Sequence, residues 1–163
     1  MAMVVDAPVT RVGTFAAMSA ALTGFKADVI APEQALLSAH LLHVIDELAG
    51  ATSIDQLLAK FVALHVQGHT AQEIANVMLG VSPSSHAPAV QLAQSVVKLW
   101  YLGSWYPPGS TSAFNGDVVS GHAYVSGLAW RALQTHAMGD NPFVFGDWTS
   151  PPPPLAEFGA DVA

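Results

Sequence analysis

The chain has 163 residues, a formal net charge of −7 and no cysteine; 52% of its residues are hydrophobic and 10% charged. Five scattered lysines and arginines cannot form the basic stripe that displaces counterions from a nucleic acid, and the missing thiols exclude disulfides, thiolate catalysis and Fe–S ligation by this chain. The length fits one domain with a core of its own, but typical domains are about 25% charged, so the scarcity of charge predicts an apolar surface that a partner covers.

Residues 1–9 read as a flexible N-terminus, without the basic-then-apolar pattern of a signal peptide. No run of 18 apolar residues suggests a membrane span. The body, residues 10–138, reads as a helical domain. Thr10 to Thr23 carries Val12, Phe15, Met18, Ala21 and Leu22 at helical spacing, with Gly24 placed as the stop. Pro32 suits a first helical turn and Glu33 complements the helix dipole. From there to Gly50 the residues Leu37, Leu41, Val44, Ile45 and Leu48 form a broad face that Leu36 and Leu42 extend. That breadth predicts the central helix of the bundle.

Ser53 to Gln56 and Thr70 to Glu73 both match the capping-box pattern. They predict a third helix ending near Gly68 and a fourth ending at Gly80. Val81 to Pro88 is a connector. A fifth helix runs from Pro88 to Gly103, with Val90, Ala93, Val97, Trp100 and Tyr101 on one side. The fold class predicted is mainly α: a compact bundle of about five helices, an irregular C-terminal third and an extended Pro-rich tail.

After Gly103 the pattern changes. Pro107 to Gly116 is a loop. Asp117 to Gln134 mixes strand-favouring Val118, Val119, Tyr124 and Val125 with a helix-favouring run from Leu128 to Leu133, and Gly121 and Gly127 interrupt either reading. Residues 139–163 form the tail, in which Pro151, Pro152, Pro153 and Pro154 impose polyproline II geometry.

Aromatic side chains crowd the end of the fifth helix: Trp100, Tyr101, Trp105 and Tyr106 fall within seven positions. Such residues fill cores and also anchor protein–protein contacts. Trp100 lies on the apolar stripe and reads as core. Trp105 and Tyr106 lie beyond Gly103 and read as interface. Phe143, Phe145 and Trp148, beside the prolines, read as further anchors of an extended segment laid on a partner, where stiffness lowers the entropy lost on docking.

Catalytic signatures are missing. Ser120-Gly121-His122 lacks the glycine spacing of a nucleophile elbow, and no glycine-rich phosphate loop occurs. His65 and His69 stand four apart, but Gly68 separates them. His40, His43 and Asp46 share helical spacing and offer an alternative reading, a small free-standing metal-binding protein or enzyme.

Three blocks carry a family resemblance: Phe15-Ala-Ala-Met-Ser-Ala-Ala-Leu-Thr-Gly24, Val97-Lys-Leu-Trp-Tyr-Leu-Gly103, and Asn141-Pro142 followed by Trp148 and Pro151. In order and position they resemble the small subunits of bacterial FAD-dependent sugar and polyol dehydrogenases, of the sorbitol dehydrogenase small-subunit type. The resemblance implies a non-catalytic subunit that binds, stabilises and helps mature a large flavoprotein of the glucose–methanol–choline type. It places FAD, and allows an Fe–S cluster, in that partner and no cofactor in this chain. It also allows a cytochrome c subunit as a third component. The family points to the periplasm, whereas the absence of a twin-arginine segment before Val4 leaves the cytoplasm open.

Overall fold

The first helix, α1 (Arg11–Thr23), opens where the Thr10 hydroxyl accepts a hydrogen bond from the Gly13 amide and closes where Gly24 adopts φ +75°. Both ends therefore satisfy backbone groups that the helix itself leaves unpaired. In this computed structural model the described residues are 10–30, 35–81, 87–110 and 116–138, with Pro154 and Ala156. The expectations for residues 1–9, for Pro32 and Glu33, and for the tail residues Phe143, Phe145, Trp148, Pro151, Pro152 and Pro153 lie outside the described residues.

Beyond α1 come a short α2 (Ala27–Ile30), α3 (Ala35–Ile45), a π-helical turn over Asp46–Gly50, α4 (Ala51–Val66), α5 (Ala71–Leu79) and α6 (Pro88–Leu102). The chain is mainly α-helical. Its five long described helices match the number expected, and α5 begins at the predicted capping box, with Thr70 and Glu73 bonding each other's backbone reciprocally.

The Ser53 capping box is not used. α4 begins at Ala51, two residues earlier, and Ser53 lies inside its first turn with no side chain capping the start. The preceding helix instead widens into the π turn and breaks at Gly50, where φ +84° and ψ +128° redirect the chain. Arg11 ties the break to α1. Its guanidinium donates to both Asp46 carboxylate oxygens at 2.5 and 2.7 Å and, through Nε, to Asp55 at 2.7 Å. The hydrogen bonds to Asp46 raise the Arg11 pKa above its ordinary value, and Asp55 adds to the effect.

The central helix is α1, not the Leu-rich α3. α1 packs on α2, α3, α4, α5 and α6, because its Ala and Ser positions let neighbours approach from several sides. Leu36, which helped suggest a central α3, is 82% exposed. The core joins Phe15, Met18 and Leu22 of α1 to Leu37, Leu41 and Ile45 of α3. Ile54, Leu57 and Phe61 of α4, Ile74 and Met78 of α5, and Val96, Leu99 and Trp100 of α6 complete it.

The ambiguous stretch after Gly103 resolves into both readings. β1 (Ser104–Trp105) pairs antiparallel with β2 (Asp117–Val118), Ser104 opposite Val118 and Trp105 opposite Asp117. Two single-turn helices follow, α7 (Gly121–Val125) and α8 (Leu128–Ala132). Both pack against α6.

Candidate functional site

The candidate site grows from the end of α6. Gly103 stops that helix at φ +64°, its amide donating to Leu99 O at 2.8 Å. A Cβ here would lie 2.5 Å from the carbonyl carbon and oxygen of Ala123. The glycine thus does two things: it adopts the left-handed turn and admits α7 against the backbone. Its own carbonyl accepts from the Val119 amide at 3.1 Å, and Ser120 caps α7 by accepting from the Ala123 amide.

Gly127 repeats the close approach alone, before α8, since at φ −54° it is not left-handed but a Cβ there would sit 2.8 Å from the Tyr101 carbonyl oxygen. Close backbone approach at both glycines draws α7 and α8 onto the last turn of α6. Between them lies an open groove of about 360 Å³. α6 and β1 contribute Tyr101, Leu102 and Ser104; Tyr106, Tyr124, Ala129, Trp130 and Leu133 complete the walls.

Its aromatic side chains are held in place. The Tyr101 hydroxyl donates to Thr23 O at 3.0 Å, and its ring meets Phe25 edge-on with centroids 5.9 Å apart. Burial pushes the Tyr101 phenol pKa up. The Trp130 indole N–H donates to Tyr124 O at 2.8 Å, and those two rings pack edge to face at 5.5 Å. Lys98 Nζ stands 5.5 Å from the Tyr106 ring centroid, a cation–π arrangement. At the rim Leu102 is 43% and Leu133 70% exposed. The groove is therefore apolar, rigid and edged by phenols, with the chemistry to seat aliphatic or aromatic side chains and to offer their backbone hydrogen bonds.

Of the expected interface residues, Tyr106 lies on this groove, half-buried. Trp105 does not: it is 5% exposed and belongs to the core. Pairing of β1 with β2 folds the segment beyond Gly103 back against α6, so leaving the helix does not take Trp105 to the surface. Trp100 is core, as expected, at 1% exposure. Pro154 is exposed. The tail touches the helical domain at Ala156, whose carbonyl accepts from Lys26 Nζ at 3.0 Å.

The alternative grouping of His40, His43 and Asp46 does not assemble. His40 Nε2 lies 3.2 Å from Ser120 Oγ, Asp46 is held by Arg11, and exposed His43 faces Glu47 at 3.6 Å. Side chains three residues apart on α3 point into different neighbours, and the π turn carries Asp46 onto Arg11. Among the described residues no three His, Cys, Asp or Glu side chains form a metal-holding group.

Sequence reasoning missed Tyr124, Trp130 and Leu133 as groove residues. Their signal was Gly127, which reads as an interruption and acts as a point of close packing. Comparison with family models, with characterised proteins and with solved structures finds no match.

Proposed function

We propose that this chain is a non-catalytic small subunit that binds, stabilises and helps mature the large FAD-containing subunit of a sugar or alcohol dehydrogenase. The observation behind the docking role is the tyrosine-walled groove with Leu102 and Leu133 left exposed at its rim. Exposed apolar surface around rigid aromatic side chains suits a protein contact, with aromatic residues as its anchors. The low charge content of the whole chain, 10%, agrees with a surface shared with another protein. The partner's identity rests on the sequence resemblance alone. Flavin and any Fe–S cluster belong to the partner in this reading, and no described helix is long and apolar enough to cross a membrane.

Co-expression with a large subunit of the glucose–methanol–choline type tests the reading. The two chains should co-purify, and the large subunit should gain soluble, flavin-loaded yield. The double variant Leu102→Asp/Leu133→Asp should lower co-purification by about tenfold or more, since loss of a buried anchor costs on the order of 2 kcal/mol. Its far-ultraviolet circular dichroism should match that of the parent. Equal co-purification by parent and variant overturns the docking face. No interaction of the parent with any such subunit overturns the assignment.

A further inference from the structure

We propose that Ser120 is an acylation site, at which His40 takes the hydroxyl proton and a small acyl thioester supplies the acyl group. α3 and α7 bring the pair together across 80 positions of sequence, with His40 Nε2 3.2 Å from Ser120 Oγ. A serine hydroxyl has one proton and two lone pairs. One lone pair takes the Ala123 amide at 3.1 Å. With neutral His40 as its Nδ1–H tautomer, the hydroxyl proton is donated to Nε2. A nucleophile within hydrogen-bond reach of a base is the minimal arrangement that activates a serine. The base is also well fixed, because it stands on a helix whose Leu37 and Leu41 are buried in the core.

The pair is reachable from solvent. Both side chains are half-buried, and Gly121, next in the chain, is exposed. A Cβ on Gly121 would meet nothing within 4 Å, unlike one on Gly103, Gly116 or Gly127, and its φ is not left-handed. Neither packing nor backbone conformation calls for glycine there, and the missing side chain leaves the approach to Oγ open. Charge and leaving-group chemistry select the reagent. The net charge of −7 repels phosphoanions, whereas a neutral acyl group meets no such barrier. The described hydrogen bond of His40 is the one to Ser120. No carboxylate among the described residues completes a triad, so the leaving group must depart readily. Thiols ionise at a pKa of about 8.5, which makes a thioester a suitable donor. In the step, an Oγ lone pair forms the O–C bond as the hydroxyl proton passes to Nε2. The C–S bond then breaks, its electron pair leaves on sulfur, and the thiolate takes the proton from Nε2. Ser120 is left as an ester. Without an orienting carboxylate His40 is a poor base toward water, so the ester persists as a modification. Its Oγ has no proton to donate to His40, and acylation therefore uncouples α7 from α3 at this point.

The full-length chain is incubated with S-phenyl thioacetate, and acetylated residues are mapped by mass spectrometry while thiophenol release is followed optically. Ser126, at the other end of α7 and also half-buried, is the internal control. Ser120 should carry an acetyl ester well before Ser126 does, and the release traced to Ser120 should stop at one equivalent. Ser120→Asn keeps a side-chain oxygen at the start of α7 and should lose that equivalent. His40→Gln keeps a hydrogen-bonding side chain without a base and should slow Ser120 acetylation by about a hundredfold, the lower end for general-base assistance. Both variants should keep the circular dichroism of the parent. Acetylation of Ser120 no faster than that of Ser126, or an unchanged rate in His40→Gln, overturns the proposal. Release that continues beyond one equivalent and vanishes in Ser120→Asn overturns the persistent ester. No large subunit enters the test, so its failure leaves the docking reading standing, and failure of that reading leaves this one testable.

Discussion

Replacing Ser19 with alanine probes the join between the first and the last long helix. Ser19 is fully buried and Trp100 is 1% exposed. The Trp100 indole N–H donates to Ser19 Oγ at 2.8 Å, and that hydroxyl donates to Phe15 O at 2.7 Å. Ser19→Ala leaves the Phe15 carbonyl with its helical partner but orphans a buried indole N–H. An unsatisfied buried donor costs about 1–3 kcal/mol. For a chain of this length that is roughly 2–4 °C of Tm per kcal/mol. Trp100→Phe removes the donor instead and loses packing against Phe15, whose ring stacks on the indole at 6.1 Å. The double variant has no orphan, so its loss should fall short of the sum of the single losses by about 1 kcal/mol, within the usual range for contacting pairs. Urea denaturation followed by circular dichroism, with m-values held constant, gives all three numbers. A neutral Ser19→Ala, or strict additivity, would refute the account of this contact.

Gly103→Ala should be the most damaging surface-distant glycine change, costing more than about 2 kcal/mol, because it combines a left-handed backbone with a Cβ 2.5 Å from Ala123; thermal melts measure it. Thr70→Ala should cost about 1 kcal/mol by removing the α5 cap, read from chemical denaturation. The Thr70 backbone amide and hydroxyl hold the Glu73 pKa below its ordinary value. A depressed folded-state pKa contributes stability that is fully present above the unfolded value near 4.3 and is lost as pH falls through the folded one. The parent should therefore lose stability over that acid window more steeply than Glu73→Gln. Arg11→Met should cost no more than about 1 kcal/mol, since Asp55 is largely exposed, and the loss should shrink in high salt.

Local punctuation was legible wherever one residue decides a helix end. Thr10, Gly24, the Thr70–Glu73 pair, Gly80, Pro88 and Gly103 act as their residue types predict. The start of α4 was not legible, because Gly50 with the Arg11 contacts overrides the pattern at Ser53. That contact joins residues 35 positions apart, which no local window sees. Trp105 was misplaced for a similar reason: a two-residue strand pairing with Asp117–Val118 decides its burial. The groove needed Gly103 and Gly127 to be read as packing sites, and their Cβ clashes involve backbone from a different helix. The central place of α1 followed from small residues, whereas the largest apolar run, in α3, drew attention away from it.

The Ser19–Trp100 contact spans 81 residues, and that separation sets a schedule for synthesis. At about 5–20 residues per second, α1 emerges from the ribosome roughly 4–16 s before its tryptophan partner. During that interval Phe15 and Met18 must be sheltered by α3, α4 and α5 alone or by a holding chaperone. Ribosome-bound chains stalled before Pro88 should therefore be the most aggregation-prone of a length series, and the hazard should fall once α6 has been made.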